Sequence, residues 1–306
     1  GRNYAPVITS LDNITVTEDI ESSPFNFSAS DQEDDEITFS FSSPSKGTIT
    51  DNNNGTYNYI PNKDAFGTDT FQIIAKDIIN ETKKNISVNI IPVNDSPTNL
   101  LLDSNTIEEN VSGAIIGNLT ANDVDGDILT YSFGGDNAQF ANEFFEINGA
   151  TVKLKDAYSY DFETSSGPTL TFVASDGEEI ISLTQKLQIL DVNDTPYFIS
   201  NPNLEAIEDQ EYVYTIDTKD QDGDSLTITV ETDTWLTLQD YNNGTAVLSG
   251  NPNDYIARKN NGKTEVTLKV KDQNGAESIQ KYTIKTKNID NEAIPSTEAF
   301  SLKTNL

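Results

Sequence analysis

The sequence predicts an all-β chain of three tandem, antiparallel, Greek-key β-sandwiches stacked end to end. Three observations predict it. Short apolar segments alternate with a period of two residues, turn signals fall every ~8–12 residues, and no 3.6-residue periodicity is sustained. One set of motifs also returns at a spacing of roughly 90–100 residues, which marks a repeat. The predicted domains are residues 1–95, 96–194 and 195–292, with 293–306 as a tail or the start of a following repeat.

The linkers set those boundaries. Val93-Asn94-Asp95-Ser96-Pro97 recurs as Val192-Asn193-Asp194-Thr195-Pro196, with weaker copies at Asn3-Tyr4-Ala5-Pro6 and Ile289-Asp290-Asn291. After each linker a short apolar strand leads to an acidic anchor: Glu18-Asp19, Glu108-Glu109-Asn110 and Glu208-Asp209-Gln210. An acidic run follows, Asp31-Gln32-Glu33-Asp34-Asp35, matched by Asp123-Val124-Asp125-Gly126-Asp127 and Asp220-Gln221-Asp222-Gly223-Asp224. Next come Asn54-Gly55, Asn148-Gly149 and Asn243-Gly244, where Asn-Gly signals a type I′ hairpin turn. An alternating strand ending in Asp77, Asp176 or Asp272 comes next, and a further strand, such as Leu187-Gln188-Ile189-Leu190, leads into the following linker. An odd strand count puts the two ends of a sandwich at opposite poles, so such domains can stack.

Composition narrows the chemistry. The chain of 306 residues carries 50 acidic and 19 basic residues, a net charge of −31, and no Cys, His or Met. Imidazole and thiolate metal sites, Ser-His-Asp and Cys-His catalysis and disulfides are excluded, and any metal must be a hard cation held by oxygen. Strong negative charge argues against nucleic acid and anionic lipid. No run of about 18 apolar residues offers a membrane span. The start, Gly1-Arg2-Asn3-Tyr4, reads as the interior of a longer chain.

End-to-end stacking brings Glu109, Asp161, Glu163, Asp191, Asp194, Asp220, Asp222 and Asp272, with carbonyls near Asn193, to the junction of the second and third domains. Bare, these carboxylates repel one another and raise each other's pKa. Ca²⁺ resolves the conflict, because it accepts 6–8 oxygens in loose geometry whereas Mg²⁺ demands a tight octahedron.

Glu109-Asn110, Asp123-Val124-Asp125, Asp161-Phe162-Glu163 and Asp191-Val192-Asn193-Asp194-Thr195-Pro196 resemble the calcium motifs of cadherin repeats. The first domain is similar to the cadherin-like repeats of large bacterial surface adhesins, through Tyr59-Ile60-Pro61 and Phe66-Gly67-Thr68-Asp69-Thr70-Phe71. It lacks the Asp-x-Glu motif and has Pro92 where the second has Asp191. The third, through Trp235-Leu236-Thr237-Leu238 and Leu248-Ser249-Gly250-Asn251-Pro252, resembles dystroglycan-type cadherin-like and Ig-like domains. The resemblance implies a first junction of Glu18 or Asp19 with Asn94, Asp95, Asp123, Asp125 and Asp176, and Asp64 or Asp69 as additions, holding fewer or weaker ions. Asp31, Glu33 and Asp77 would face a preceding domain, Asp209 and Asp290 a following one.

Simpler readings compete. A lone Asp run is ordinarily solvated loop charge, and it is the convergence of several motifs on one junction that favours calcium. An EF-hand needs Gly at position 6 of the loop, where this chain has Ile128 and Ser225. Paired carboxylates can serve a glycosidase, but these recur at every repeat instead of forming one cleft. Trp235 is core or a sugar platform, decided by the exposure of its ring. The Asn-x-Ser/Thr sequons are mostly chance in so Asn-rich a chain.

The expected function is a calcium-rigidified extracellular stalk segment of a large, bacterial cell-surface adhesin, without enzymatic activity. Its expected partners are calcium ions, neighbouring repeats and a cell-surface or glycan receptor. The alternative is a module for ligand, glycan or homophilic adhesion.

Overall fold

The structure, a computed structural model, describes residues 2–289; Asp290, Asn291 and the expected tail at 293–306 lie outside the described residues. Paired strands fall into three sets, and the chain divides into two compact units. One unit holds the chain up to Asn105 with Ile115–Lys155 and Pro168–Leu187. The other holds Thr106–Ala114, Asp156–Gly167 and the chain from Gln188 onward.

In the first unit, strands Asn13–Thr17, Glu81–Ile91, Gly67–Lys76 and Thr38–Phe41 lie side by side in that order. Asn13–Thr17 pairs parallel to Glu81–Ile91, and the other pairs are antiparallel. The facing ladders are Val7–Ile8 with Ala29–Ser30 and Gly47–Asp51 with Tyr57–Pro61, the latter bridged to Phe25 at Tyr57. Period-2 alternation in Phe71, Ile73 and Ala75 and in Ile86, Val88 and Ile90 turns one side of each strand into the core. Phe27 sits at its centre, against the rings of Phe25, Phe39, Phe41, Tyr57 and Phe71. The same unit carries the sheet Phe145–Asn148, Thr151–Leu154, Ile115–Asn122, Thr98–Leu102 and a second of Thr130–Gly134, Thr169–Ser175, Ile180–Lys186. Leu119, Phe145, Val152, Leu154, Leu170 and Phe172 are buried among these strands.

In the second unit, Thr106–Glu108 pairs parallel to Gln188–Leu190. A complete sandwich follows: Tyr197–Phe198, Tyr212–Lys219, Thr245–Gly250, Leu236–Asp240 in one sheet, and Glu205–Ile207, Glu277–Lys287, Lys263–Lys271, Thr227–Glu231 in the other. The first strand is split between the two sheets, as it is in the first set, and the order of the remaining strands is the Greek key. Trp235, half-buried, packs against the core beside Tyr212 and donates its indole N–H to Thr264 Oγ1 at 3.1 Å.

The turns depart from the sequence reading. All three Asn-Gly sites are hairpins, but positive φ falls on Asn53 with Gly55, on Gly149, and on Asn242 with Gly244, not on the paired asparagines. Asn54 and Asn243 instead accept the backbone N–H of Thr56 and Thr245 on their side-chain oxygens, forming Asx turns in loops longer than two residues. Helices Ala138–Phe144 and Asp254–Arg258, the second capped by Asn253, were also not foreseen, being too short to leave a helical period.

Candidate metal centre

Each repeat builds the same polar pole by the same local rules. Glu18, Glu109 and Glu208 are 2%, 1% and 0% exposed. Each accepts a backbone N–H of the strand exit: Val93 to Glu18 at 3.0 Å, Val192 to Glu109 at 2.7 Å and Ile289 to Glu208 at 3.1 Å. The next residue, Asp19, Asn110 or Asp209, has positive φ, a conformation that Asp and Asn tolerate better than other non-glycine residues. The acidic runs are Asx loops. Asp31 Oδ1 accepts N–H groups from Glu33 and Asp35, Asp123 Oδ1 from Asp125 and Asp127, and Asp220 Oδ1 from Asp224. Position four of the run also needs positive φ, met by Asp34, Gly126 and Gly223.

The linker seats on this loop. Asp95 N–H donates to Asp125 Oδ2 at 2.8 Å, Asp194 N–H to Asp222 Oδ2 at 2.6 Å and Tyr4 N–H to Glu33 Oε2 at 3.1 Å. Asn94 donates to Asp176 at 3.0 Å and Asn193 to Asp272 at 2.9 Å. Asp176 and Asp272 also accept two backbone N–H groups each from the turns that follow them.

Within the second unit, ligand oxygens of Glu109, Glu163, Asp191 and Asp222 all lie within 4.8 Å of one another, and so do those of Asp220, Asp222 and Asp224. Asp161 stands outside that foursome, bound to Gln221 at 3.2 Å. Within the first unit, the groups are Glu18, Asp95, Asp125; Asp19, Asp64, Asp95; and Asp123, Asp125, Asp127. The choice between Asp64 and Asp69 falls to Asp64. Asp69 is buried elsewhere, accepting Tyr59 Oη at 2.7 Å, Ser45 Oγ at 2.7 Å and the N–H groups of Ser45, Lys46 and Thr70. Burial opposes its ionisation, yet these bonds hold its pKa down to about 2.

The sequence reading left Asp127, Asp224 and Glu208 out of its candidate ligands. The first two complete an Asp-x-Asp-x-Asp loop legible in the sequence, and Glu208 occupies the repeat position of Glu18 and Glu109.

The electrostatics are those of crowded anions. Desolvation, then Glu109 and Asp222, push the Asp194 carboxyl up. Desolvation followed by Asp222, Asp224 and Asp272 does so for Asp220, and desolvation followed by Asp64, Asp125 and Asp19 for Asp95. Hydrogen bonds from Asn193 and from the backbone of Glu179 lead the causes that lower Asp272 and Asp176. Unpartnered buried oxygens recur at matching positions: Oδ2 of Asp31, Asp123 and Asp220, and Oε1 of Glu18 and Glu208, with Asp77 Oδ2, Asp194 Oδ2 and Asp222 Oδ1 beside them. An orphaned buried polar atom costs ~1–3 kcal/mol, and these are all carboxylate oxygens in a chain without nitrogen or sulfur metal donors. The donor set, all oxygen, fits a hard divalent cation.

Residues 3–92 match the family described as bacterial cadherin-like domain, and residues 193–285 the family described as bacterial Ig domain. Tandem cadherin-like and Ig-like repeats build this chain. Among solved structures, the protocadherin gammaB7 EC3-6 cis-dimer is 18% identical with a TM-score of 0.58, the match covering 92% of this chain and 77% of that one. Protocadherin gamma B2 extracellular cadherin domains 3-6 are 16% identical at TM-score 0.56, over 93% and 78%. Mouse cadherin-23 EC22-24 is 18% identical at TM-score 0.50, over 94% and 100%. These likenesses show the fold. No curated protein matches the chain. Among the described residues, no helix is long and apolar enough to cross a membrane.

Proposed function

We propose that the chain is a stalk segment of a cell-surface adhesin, its repeats, at 1–95, 96–194 and 195–292, stiffened by Ca²⁺ at the linkers. Glu109, Glu163, Asp191, Asn193, Asp194, Asp220 and Asp222 would hold ions at the second cluster, with Asp161 and Asp272 beside them. Glu18, Asp19, Asn94, Asp95, Asp123, Asp125 and Asp176 would do so at the first. The single observation that carries the reading is the recurrence of orphaned carboxylate oxygens at the same repeat positions. A solvated loop has no reason to bury them.

The chain's own residues do the positioning. The buried Glu clasps the exiting linker through its N–H, and the acidic loop receives the next N–H of that linker. A cation bound between them ties two consecutive repeats and neutralises the repulsion that otherwise separates them. Because the ion binds the joined arrangement and not the separated one, it adds RT ln(1 + [L]/Kd) to that arrangement's stability, about 2.7 kcal/mol at one hundred times Kd. The work is mechanical: extension and resistance to unfolding.

Small-angle scattering and thermal melts, with ~2 mM calcium, in the range of extracellular modules, and again with excess chelator, test this. The expected result is a shorter maximum dimension and a lower Tm on chelation. An unchanged dimension and Tm would falsify the calcium-stiffened stalk.

A further inference from the structure

Every repeat is closed by a parallel ladder, and the three ladders are not built alike. In each, the second half of the split opening strand runs parallel to the strand that ends the repeat. Load along the chain draws the opening strand back and the closing strand forward, so the two slide past each other. The hydrogen bonds between them then bear the load together, whereas a hairpin pulled apart from its open end gives way one bond at a time. Opening under force is set by the rate of unfolding, so a ladder with less to break at once opens sooner under the same load.

In the first repeat the ladder is long and supported. Asn13–Thr17 meets Glu81–Ile91 over five register pairs, and Ser87 N–H to Asp12 O at 3.1 Å and Glu18 N–H to Ile91 O at 2.9 Å extend it at both ends. Gly67–Lys76 holds Glu81–Ile91 from the other side. Lys84 staples the start of the opening strand, its Nζ 2.6 Å from Ser10 O and 2.7 Å from Asp12 Oδ1. In the third repeat Glu205–Ile207 meets Glu277–Lys287 over only three register pairs, still within a four-stranded sheet. In the second the ladder is short and detached. Its closing strand breaks at Leu187, whose N–H turns to Pro168 O at 2.8 Å. Beyond the break, Gln188–Leu190 and Thr106–Glu108 form a two-stranded ladder of three register pairs, with no further strand beside it among the described residues. The division into compact units follows this break: the ladder falls in the second unit, and both sheets of its repeat fall in the first. We infer that the chain yields to tension in a fixed order, the second repeat opening first and the first repeat last, so that it lengthens by one repeat while the others stay folded. This deepens the stalk reading and rests on it for the source of the load.

Single-molecule force spectroscopy on the full chain, held by its two ends in chelator, tests the order. An insertion of about ten Gly and Ser residues in an exposed turn marks one repeat, because it adds about 35 Å to the length which that repeat releases. One version marks the first repeat between Asn53 and Asn54, another the second between Gly177 and Glu178, all four residues being exposed. Circular dichroism verifies that both versions fold. The expected result is that the lengthened step comes last of the three in the first version and first of the three in the second. Lys84→Ala is expected to lower the force of the first repeat's step and to leave the other two unchanged. A first-repeat step that comes early as often as late overturns the inference. The same pulls in calcium keep the two readings apart: step forces equal in calcium and chelator overturn the calcium-stiffened stalk and leave the order standing.

Discussion

At the scale of single residues, carboxylates of one chemical type take opposite roles according to what surrounds them. Asp69 and Asp194 are both acidic residues near the end of a strand or linker. Asp69 accepts four neighbours' donors and is held down to about 2, whereas Asp194 is pushed up by desolvation and by Glu109 and keeps an oxygen without a partner. The first is a structural clasp, and the second is left with charge and an oxygen that its neighbours do not satisfy. A carboxyl with a depressed folded pKa contributes stability that is present above its unfolded pKa, near ~3.9, and is lost as pH falls through the folded value. Asp69→Asn is therefore expected to cost about 2–3 kcal/mol at pH 6, the penalty for losing hydrogen bonds to a buried charged group. That difference should shrink steadily between pH 4 and pH 2. Urea titrations of both proteins in chelator at a series of pH values check this, and a pH-independent difference would show that Asp69 carries no charge-dependent role.

At the scale of elements, hairpins and strands were legible wherever side-chain period decided them. Burial alternates along Gly67–Lys76 and Lys263–Lys271, with Asp69 taking an inward place in the first, because a half-buried strand must turn every second side chain inward. Turn conformation was less legible. The Asn-Gly signal located the hairpins, but loop length moved the positive φ to Asn53 and Asn242, and loop length is fixed by how the paired strands register. Close approach explains one glycine. A Cβ on Gly250 would lie 2.0 Å from the backbone oxygen of Trp235, in the turn just before the neighbouring strand Leu236–Asp240. Gly250→Ala should destabilise this sandwich by about 1–3 kcal/mol, the usual cost of overpacking. Because Trp235 is the only tryptophan, intrinsic fluorescence reports on this sandwich, and the denaturation midpoint followed by that signal should fall. A midpoint equal to the wild type would mean that the strand shifts to make room at no cost.

At the scale of the whole molecule, the net charge of −31 opposes the compact state by self-repulsion. Without divalent ions, screening is the remaining relief, and the Debye length falls from ~30 Å at 0.01 M salt to ~10 Å at 0.1 M. Calorimetry in chelator should show Tm rising with sodium chloride over that range, and rising less when calcium is present. Equal salt dependence in the two conditions would place the repulsion outside the acidic clusters. Sequence by itself determined the repeat, the sandwich class, the oxygen-only chemistry and most of the cluster, because these follow from spacing, alternation and composition. The tertiary structure alone decided that Asp64 joins the first cluster and Asp69 does not. It also set Asp161 outside the foursome that Glu163 enters, and showed that Glu208 shares the buried place of Glu18 and Glu109. The reason is physical: which oxygens converge depends on loops that fold back from distant points in the chain, and only the folded backbone fixes where those loops meet.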